Sequence, residues 1–246
     1  MALGLIGLLG LILGSFLNVY ALRWPGDESV THSWSHCPGC GEGVGWYDNV
    51  PVLSWVLLRG RCRHSSAWIS LQYPLVEAAT GLIWGGMMWT HGLEVEALRG
   101  AMFLSILLGI AISDARFYII PDQFSIGGAA LGFGLSSLTP ALGIIPSLLG
   151  GLFGFVFLWV LAWVGEKVLK TETMGGGDIK MMGMIGAFLG VQGVLLSLFL
   201  GALLGALIFG PISYKTGKLV PFGIFLAVGA AATFVWGDWV VESYLR

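Results

Sequence analysis

The sequence predicts an all-α polytopic membrane protein, with about eight transmembrane helices and one cytosolic loop domain between the first and second. Two observations carry that prediction. Of 246 residues, 56% are hydrophobic and only 11% charged, against about 25% charged in a soluble domain, so too little charge is present to cover a water-soluble globule. Mean hydropathy is +0.85, and the apolar residues fall in runs long enough to cross a bilayer. Disorder requires the opposite composition. A net charge of −2 argues against a nucleic-acid binder, which would carry a strong basic excess.

A spanning helix needs about 20 apolar residues. Residues 2–22 carry no charge and end at Arg23-Trp24-Pro25. With no Lys or Arg ahead of Arg23, the segment reads as a retained span rather than a signal peptide. Further apolar runs cover 73–92, 97–114, 123–139, 142–165, 179–191, 194–212 and 219–241. The stretch 179–212 would make a helix of roughly 50 Å, too long for one crossing, so a break is expected at Gly190-Val191-Gln192-Gly193. That leaves a short helix whose start lies below the membrane surface, where unwound backbone is tolerated only against protein or a wet cavity.

With eight spans and the N-terminus outside, the cytosolic side holds Arg23, Arg59, Arg61, Arg63, Arg116, Lys167, Lys170, Lys180, Lys215 and Lys218, and the outside keeps Arg99 and Arg246. Ten against two is the asymmetry that the positive-inside rule demands. Both termini then lie on the non-cytosolic side, with Trp236, Trp239 and Tyr244 in an outer aromatic belt and Asp238 and Glu242 exposed at that interface. Three regions follow: a first helix over 1–22, a cytosolic cysteine-containing loop domain over 23–71, and a seven-helix domain over 72–246.

The loop holds all three cysteines: Cys37 and Cys40 in a Cys-x-x-Cys knuckle, and Cys62. The cytosol is reducing, so a disulfide is disfavoured. Three thiols at this spacing read as most of a structural zinc site. Ser65 stands where a second Cys-x-x-Cys would close, and His64 or His36 is left to supply a fourth ligand.

An acid inside a span costs about 2.5–3.5 kcal/mol and is a functional candidate by default. Glu77, Asp114, Asp122 and Asp178 lie in or at the cytosolic ends of spans. Asp114 ends the third span, whereas Asp178 follows Gly175, Gly176 and Gly177 and opens the sixth. Brought together, Asp114 and Asp178 form an aspartyl dyad that shares a proton, one acid acting as general base on water and the other as general acid toward a carbonyl. Because a helix C-terminus disfavours and an N-terminus favours negative charge, the resting proton is expected on Asp114. The three glycines allow an extended peptide to approach closely; the plainer reading is a flexible loop with Asp178 as an N-cap. Pro121-Asp122 reads as an ordinary helix start. Glu77 either orients a dyad member or pairs with a loop arginine.

The chain resembles the bacterial prepilin peptidases, the type IV leader peptidase family of membrane aspartyl proteases of the Gly-x-Gly-Asp type. The resemblance rests on Gly14-Ser-Phe-Leu-Asn-Val19 with Arg23-Trp-Pro25, and on Asn49-Val-Pro-Val-Leu-Ser-Trp55. It continues through Leu58-Arg-Gly-Arg-Cys62-Arg, Ile69-Ser, Tyr73-Pro-Leu-Val-Glu77, and the segment from Asp114 to Pro121-Asp122. Gly175-Gly-Gly-Asp178-Ile-Lys180 and Val220-Pro-Phe-Gly223 complete it. The resemblance implies that Asp114 and Asp178 are the catalytic pair. It implies that the substrates are prepilins or pseudopilins cut after a glycine at the cytosolic face of the inner membrane. Many members also methylate the new N-terminus with S-adenosylmethionine, an activity associated with the loop region. Ser65 departs from the family's tetracysteine pattern. The rival readings are a multi-pass transporter or channel, which predicts symmetry between halves that is not seen here, and a presenilin-type protease, which lacks the cysteine loop.

Overall fold

The computed structural model describes residues 2–23, 36–37, 39–171, 174–216 and 221–245. Trp24, Pro25, His32, Lys218, Val220 and Arg246 lie outside the described residues, as do the side chains of Lys215, Asp238, Glu242 and Tyr244. The described chain is all-helical apart from two isolated β-bridges: α1 (Ala2–Arg23), a 3-10 turn (Trp46–Asp48), α2 (Leu53–Leu57), α3 (Gln72–His91), α4 (Val95–Phe117), α5 (Asp122–Leu138), α6 (Ile144–Leu169), α7 (Gly176–Thr216) and α8 (Phe222–Leu245). Among the described residues, four helices are long and apolar enough to cross a membrane, Leu3–Leu22, Val95–Phe117, Ile144–Leu169 and Gly176–Ile208, and Phe222–Gly237 is a shorter apolar one. The protein is a multi-pass membrane protein. Contacts divide it into two compact units, Met1–Ala101 and Met102–Arg246, so that the division falls within α4.

In the first unit α1 packs on α3. The fit depends on small residues in the Gly10-Leu-Ile-Leu-Gly14 stripe. A Cβ on Gly10 would lie 2.8 Å from the Thr80 carbonyl oxygen, and one on Gly14 would lie 2.7 Å from the Glu77 Cα. Between apolar helices in lipid there is no hydrophobic drive to associate, so such close backbone packing holds them together. Asn18, fully buried in α1, donates from Nδ2 to the Tyr73 carbonyl at 3.1 Å and ties α1 to the first turn of α3.

In the second unit α7 is the central element, packed on α5, α6 and α8. Its buried face carries Met181, Met182, Met184, Ile185 and Phe188, and Phe188 stacks on Phe103 of α4 with ring centroids 4.6 Å apart. Gly150 of α6 and Gly186 of α7 bring the two backbones nearly into contact: a Cβ on Gly186 would sit 2.0 Å from the Gly150 carbonyl oxygen.

The expected break in α7 is present at Gly190, whose φ of 70° and ψ of −174° are non-helical. The residues on either side continue as helix, so the long apolar stretch is two helical pieces joined at a kink. A kink strips carbonyls in the preceding turn of their helical partners. Ala187 lies in that turn, and two buried hydroxyls donate to its carbonyl oxygen: Ser136 of α5 at 3.2 Å and Ser147 of α6 at 2.6 Å.

Candidate active site

Asp114 lies three residues before the end of α4 and is only 5% exposed. The connection that follows folds back at once. The buried Ser113 hydroxyl donates to the Ile119 carbonyl at 2.8 Å, Tyr118 takes a left-handed φ of 56°, and its N–H donates to the Asp114 carbonyl. The returning chain carries Ile120 and then Pro121, which caps α5. Asp122 is the first residue of α5, and its Oδ1 pairs with Lys180 Nζ of α7 at 2.6 Å in an exposed ion pair.

Asp178 is the third residue of α7, half-buried, rather than its N-cap. Gly175 precedes the helix, its carbonyl accepts the Asp178 N–H at 3.1 Å, and its own N–H donates back to the Asp178 carboxyl. The bond from the Gly175 N–H to the Asp178 carboxyl is the half of a capping box that the N3 side chain supplies. The Asp178 carboxyl lies within electrostatic reach of Asp114, so the two acids brought forward from the sequence come together here.

The N-terminus of α8 completes the cluster. Asp114 Oδ2 accepts the backbone N–H of Ile224 at 3.0 Å, and the Gly223 N–H also donates to the carboxyl. A Cβ on Gly223 would lie 2.9 Å from Asp114 Oδ2 and 2.9 Å from Ile120 Cδ1, and one on Gly177 would lie 3.1 Å from Ile120 Cβ. Ile120 therefore fills the space between the first turns of α7 and α8 and forms an apolar wall beside both acids. Placing the resting proton on Asp114 assumed that only one acid faces a helix N-terminus. In the structure Asp114 lies in the last turn of α4 and also accepts N–H groups at the start of α8, a second helix terminus of opposite polarity that α4 alone leaves out. Of the three glycines, Gly177 abuts Ile120, Gly175 caps Asp178, and Gly176 has open space around its α-carbon.

In the first unit the Sγ atoms of Cys37, Cys40 and Cys62 lie within 4.8 Å of one another and could hold a metal ion. His64 does not join this group; Ser65 Oγ approaches instead, 3.9 Å from Cys37 Sγ. The reason is that the backbone builds two matching knuckles. Cys37 N–H donates to the Glu42 carbonyl and Gly41 N–H to that of Cys37; Cys62 N–H donates to Ala67 and Ser66 N–H to Cys62. Gly41 and Ser66 both take positive φ, 74° and 55°. Ser65 occupies in the second knuckle the place Cys40 holds in the first. Hydrogen bonds from the Ser65 backbone and hydroxyl and the His64 backbone pull the Cys62 thiol down to about 6, which favours the thiolate a metal requires. His36 forms the β-bridge with Gly43 that frames the first knuckle.

Glu77 pairs with no arginine among the described residues. Its Oε2 accepts the Val52 N–H at 2.7 Å, and the Ser15 hydroxyl donates to the same carboxyl. The loop arginine that finds an acid is Arg63, bound through two nitrogens to Asp48 at 2.6 and 2.7 Å.

The family described as the bacterial peptidase A24 N-terminal domain matches residues 8–91, and the type IV leader peptidase family matches residues 101–210. The prepilin leader peptidase/N-methyltransferase of Xanthomonas campestris pv. campestris is 33% identical over an alignment that covers 97% of this chain and 92% of that protein. The chain belongs to the type IV leader peptidase family. Similar proteins of the same name occur in Stutzerimonas stutzeri (33% identical) and Pseudomonas aeruginosa (32%), each alignment covering 97% of this chain and 92% of the relative. No solved structure matches. Type IV leader peptidases are aspartic peptidases, and Asp114 and Asp178 lie on helices of the second unit, both inside the matched range. The contribution of α8 to this leader peptidase lay beyond the sequence reading. Its signals in the sequence are Pro221 ahead of an apolar run, the usual mark of a helix start, and the Val220-Pro-Phe-Gly223 motif of the resemblance; neither says what that start faces.

Proposed function

We propose that this chain removes the leader peptide of prepilin- or pseudopilin-like subunits by aspartyl-dyad hydrolysis and then methylates the new N-terminus. The observation that carries the peptidase reading is the meeting of the Asp114 and Asp178 carboxyls in a chain of this family. One carboxylate takes a proton from water as the water oxygen attacks the scissile carbonyl carbon. The other, protonated, gives its proton to the developing oxyanion. Collapse of the tetrahedral intermediate breaks the C–N bond, and the amine leaves with the proton first taken from water. The donors on Asp114, the Ile224 and Gly223 N–H groups, hold its carboxyl in place at the start of α8. Ile120 excludes water from one side. Gly176, open at its α-carbon, is where an extended substrate backbone approaches closely.

We place the protein in the bacterial inner membrane with about eight crossings, both termini on the non-cytosolic side, and the dyad facing the cytosol. The charge asymmetry of the sequence supports this topology. Substrates that carry a basic leader ahead of an apolar helix would present their cut site at that face. By function we divide the chain into a first helix over 1–22, a loop domain over 23–71 and the peptidase helices over 72–246, although contacts group α1, the loop and α3 in one compact unit. Methyl transfer calls for S-adenosylmethionine, whose sulfonium supplies an electrophilic methyl group. The deciding experiment incubates the full-length protein in detergent micelles with a prepilin-type peptide and methyl-labelled S-adenosylmethionine. Cleavage with label on the new N-terminus is expected. An intact peptide would overturn the peptidase reading, and cleaved but unlabelled product would overturn the methyltransferase reading.

Three further outcomes are expected. Gly223→Ala places a methyl group against Asp114 Oδ2 and Ile120 Cδ1, and displacing a catalytic group by a fraction of an ångström costs up to about 100-fold. A drop of ten- to hundredfold in kcat with little change in KM should appear in steady-state cleavage. We assign the cysteine cluster to a structural zinc ion. Zinc takes thiolates at about 2.3 Å in a tetrahedron, a geometry that three sulfurs this close can meet. Ser65→Cys, which completes the second knuckle, should raise zinc affinity by at least tenfold, read by competition with a chromogenic chelator, and Cys37→Ser should abolish stoichiometric zinc.

A further inference from the structure

The first unit contains a cavity of about 160 Å³ that the peptidase chemistry does not use. Its described lining includes Glu77, Tyr73, Trp55, Asp48 and Arg63. Glu77 is only 7% exposed and is placed with unusual care. The donor that reaches it, Val52, has φ 61° and ψ −49°, and Leu53 N–H closes back onto the Pro51 carbonyl at 2.6 Å. That is a tight three-residue γ-turn of the strained hand, at a β-branched residue for which positive φ is a true outlier. Such strain costs of order 1–3 kcal/mol and clusters at functional sites.

Charge and hydrogen-bond accounting say what the cavity takes. An ionised carboxylate has about four acceptor positions, and Glu77 uses two, on Val52 N–H and the Ser15 hydroxyl. Of the other ionisable groups in the lining, Asp48 and Arg63 are matched to each other, Glu42, His36 and His64 are exposed, and Cys37 and Cys62 belong to the cysteine cluster. Among the described residues the lining therefore carries one buried carboxylate without a counter-charge, and Trp55 and Tyr73 line the same cavity. A carboxylate in a cavity that aromatic side chains also line is an environment that can bind an alkylated cation.

We propose that this cavity binds an organic cation against Glu77, either the sulfonium of S-adenosylmethionine or the α-ammonium of the peptide to be methylated. The assignment rests on the methyltransfer reading and gives that activity a location in the first unit.

The test measures binding by the full-length protein, independently of turnover. Wild type should bind S-adenosylmethionine at least tenfold more tightly than S-adenosylhomocysteine, which lacks the positive charge, if the sulfonium is the occupant. If the α-ammonium is the occupant, a peptide with a free N-terminus should outbind its N-acetyl form by the same margin. Trimethylsulfonium should compete with the preferred ligand, and neutral tert-butanol should not. Glu77→Gln retains an oxygen to accept the Val52 N–H but loses the charge, so the preference for the cationic ligand should collapse to near unity while the melting temperature holds. If Glu77→Gln leaves the wild-type preference intact, or wild type shows neither preference, the proposal falls. Wild-type methylation with an unchanged preference in Glu77→Gln would reject this site and leave the methyltransferase reading standing. Absence of both methylation and S-adenosylmethionine binding in wild type would reject the two together.

Discussion

Asp178→Asn and Asp114→Asn should each lower prepilin cleavage by about four orders of magnitude, the scale on which removing one member of a concerted catalytic unit acts. Asparagine matches the carboxylate in shape. At position 114 its carbonyl oxygen can still accept the Ile224 N–H, so the helices around it have no reason to rearrange. What it cannot do is hold or pass the proton on which hydrolysis depends. Because the two acids act as one unit, the double variant should be no slower than either single variant, within error. Cleavage rates in micelles, followed by mass spectrometry, check both points. A single variant that retains a tenth of wild-type activity would remove the dyad from the mechanism. A double variant far below both singles would mean that the acids work independently.

The largest effect on stability is expected at Gly186. An alanine methyl there would lie 2.0 Å from the Gly150 carbonyl oxygen and 2.3 Å from its carbon. Both contacts are with backbone, so no side-chain rotation relieves them and α6 must move away from α7. Overpacking of this kind costs about 1–3 kcal/mol, and here it also spoils the close helix contact on which association in lipid depends. Gly186→Ala should therefore lower the melting temperature in detergent by several degrees and reduce the yield of folded protein. Gly134→Ala is the matched control: nothing lies within 4 Å of a Cβ at that position of α5, and alanine is the better helix former. Its melting temperature should equal or exceed that of wild type. Equal melting of the two variants would show that the α6–α7 approach contributes little.

The helices were legible because hydropathy is a local property. The expected runs 73–92, 123–139 and 142–165 reappear as Gln72–His91, Asp122–Leu138 and Ile144–Leu169, and the break at Gly190 follows from bilayer thickness alone. What was not legible depends on partners distant along the chain. The proton argument treated Asp114 and Asp178 through their own helices, but the donors on Asp114 come from α8, 110 residues onward. Likewise, Glu77 was weighed against arginines because its charge is visible in the sequence, whereas its actual partner is a peptide N–H exposed by an unusual turn at Val52. Ligand chemistry points to a histidine, His64 or His36, as the fourth ligand; the matched knuckle geometry, which puts Ser65 beside Cys37, shows itself only in backbone hydrogen bonds.

The pair of hydroxyls on the Ala187 carbonyl has a consequence for biogenesis. A ribosome delivers α5 and α6 to the bilayer before α7, so Ser136 and Ser147 are already in place when the interrupted helix arrives. Until it docks, a bare peptide oxygen at Ala187 would face hydrocarbon, at a cost of several kcal/mol. The order of synthesis thus matches the order in which polar debts can be settled, and a circular permutant that translated α7 first would have to insert it with that oxygen unmet.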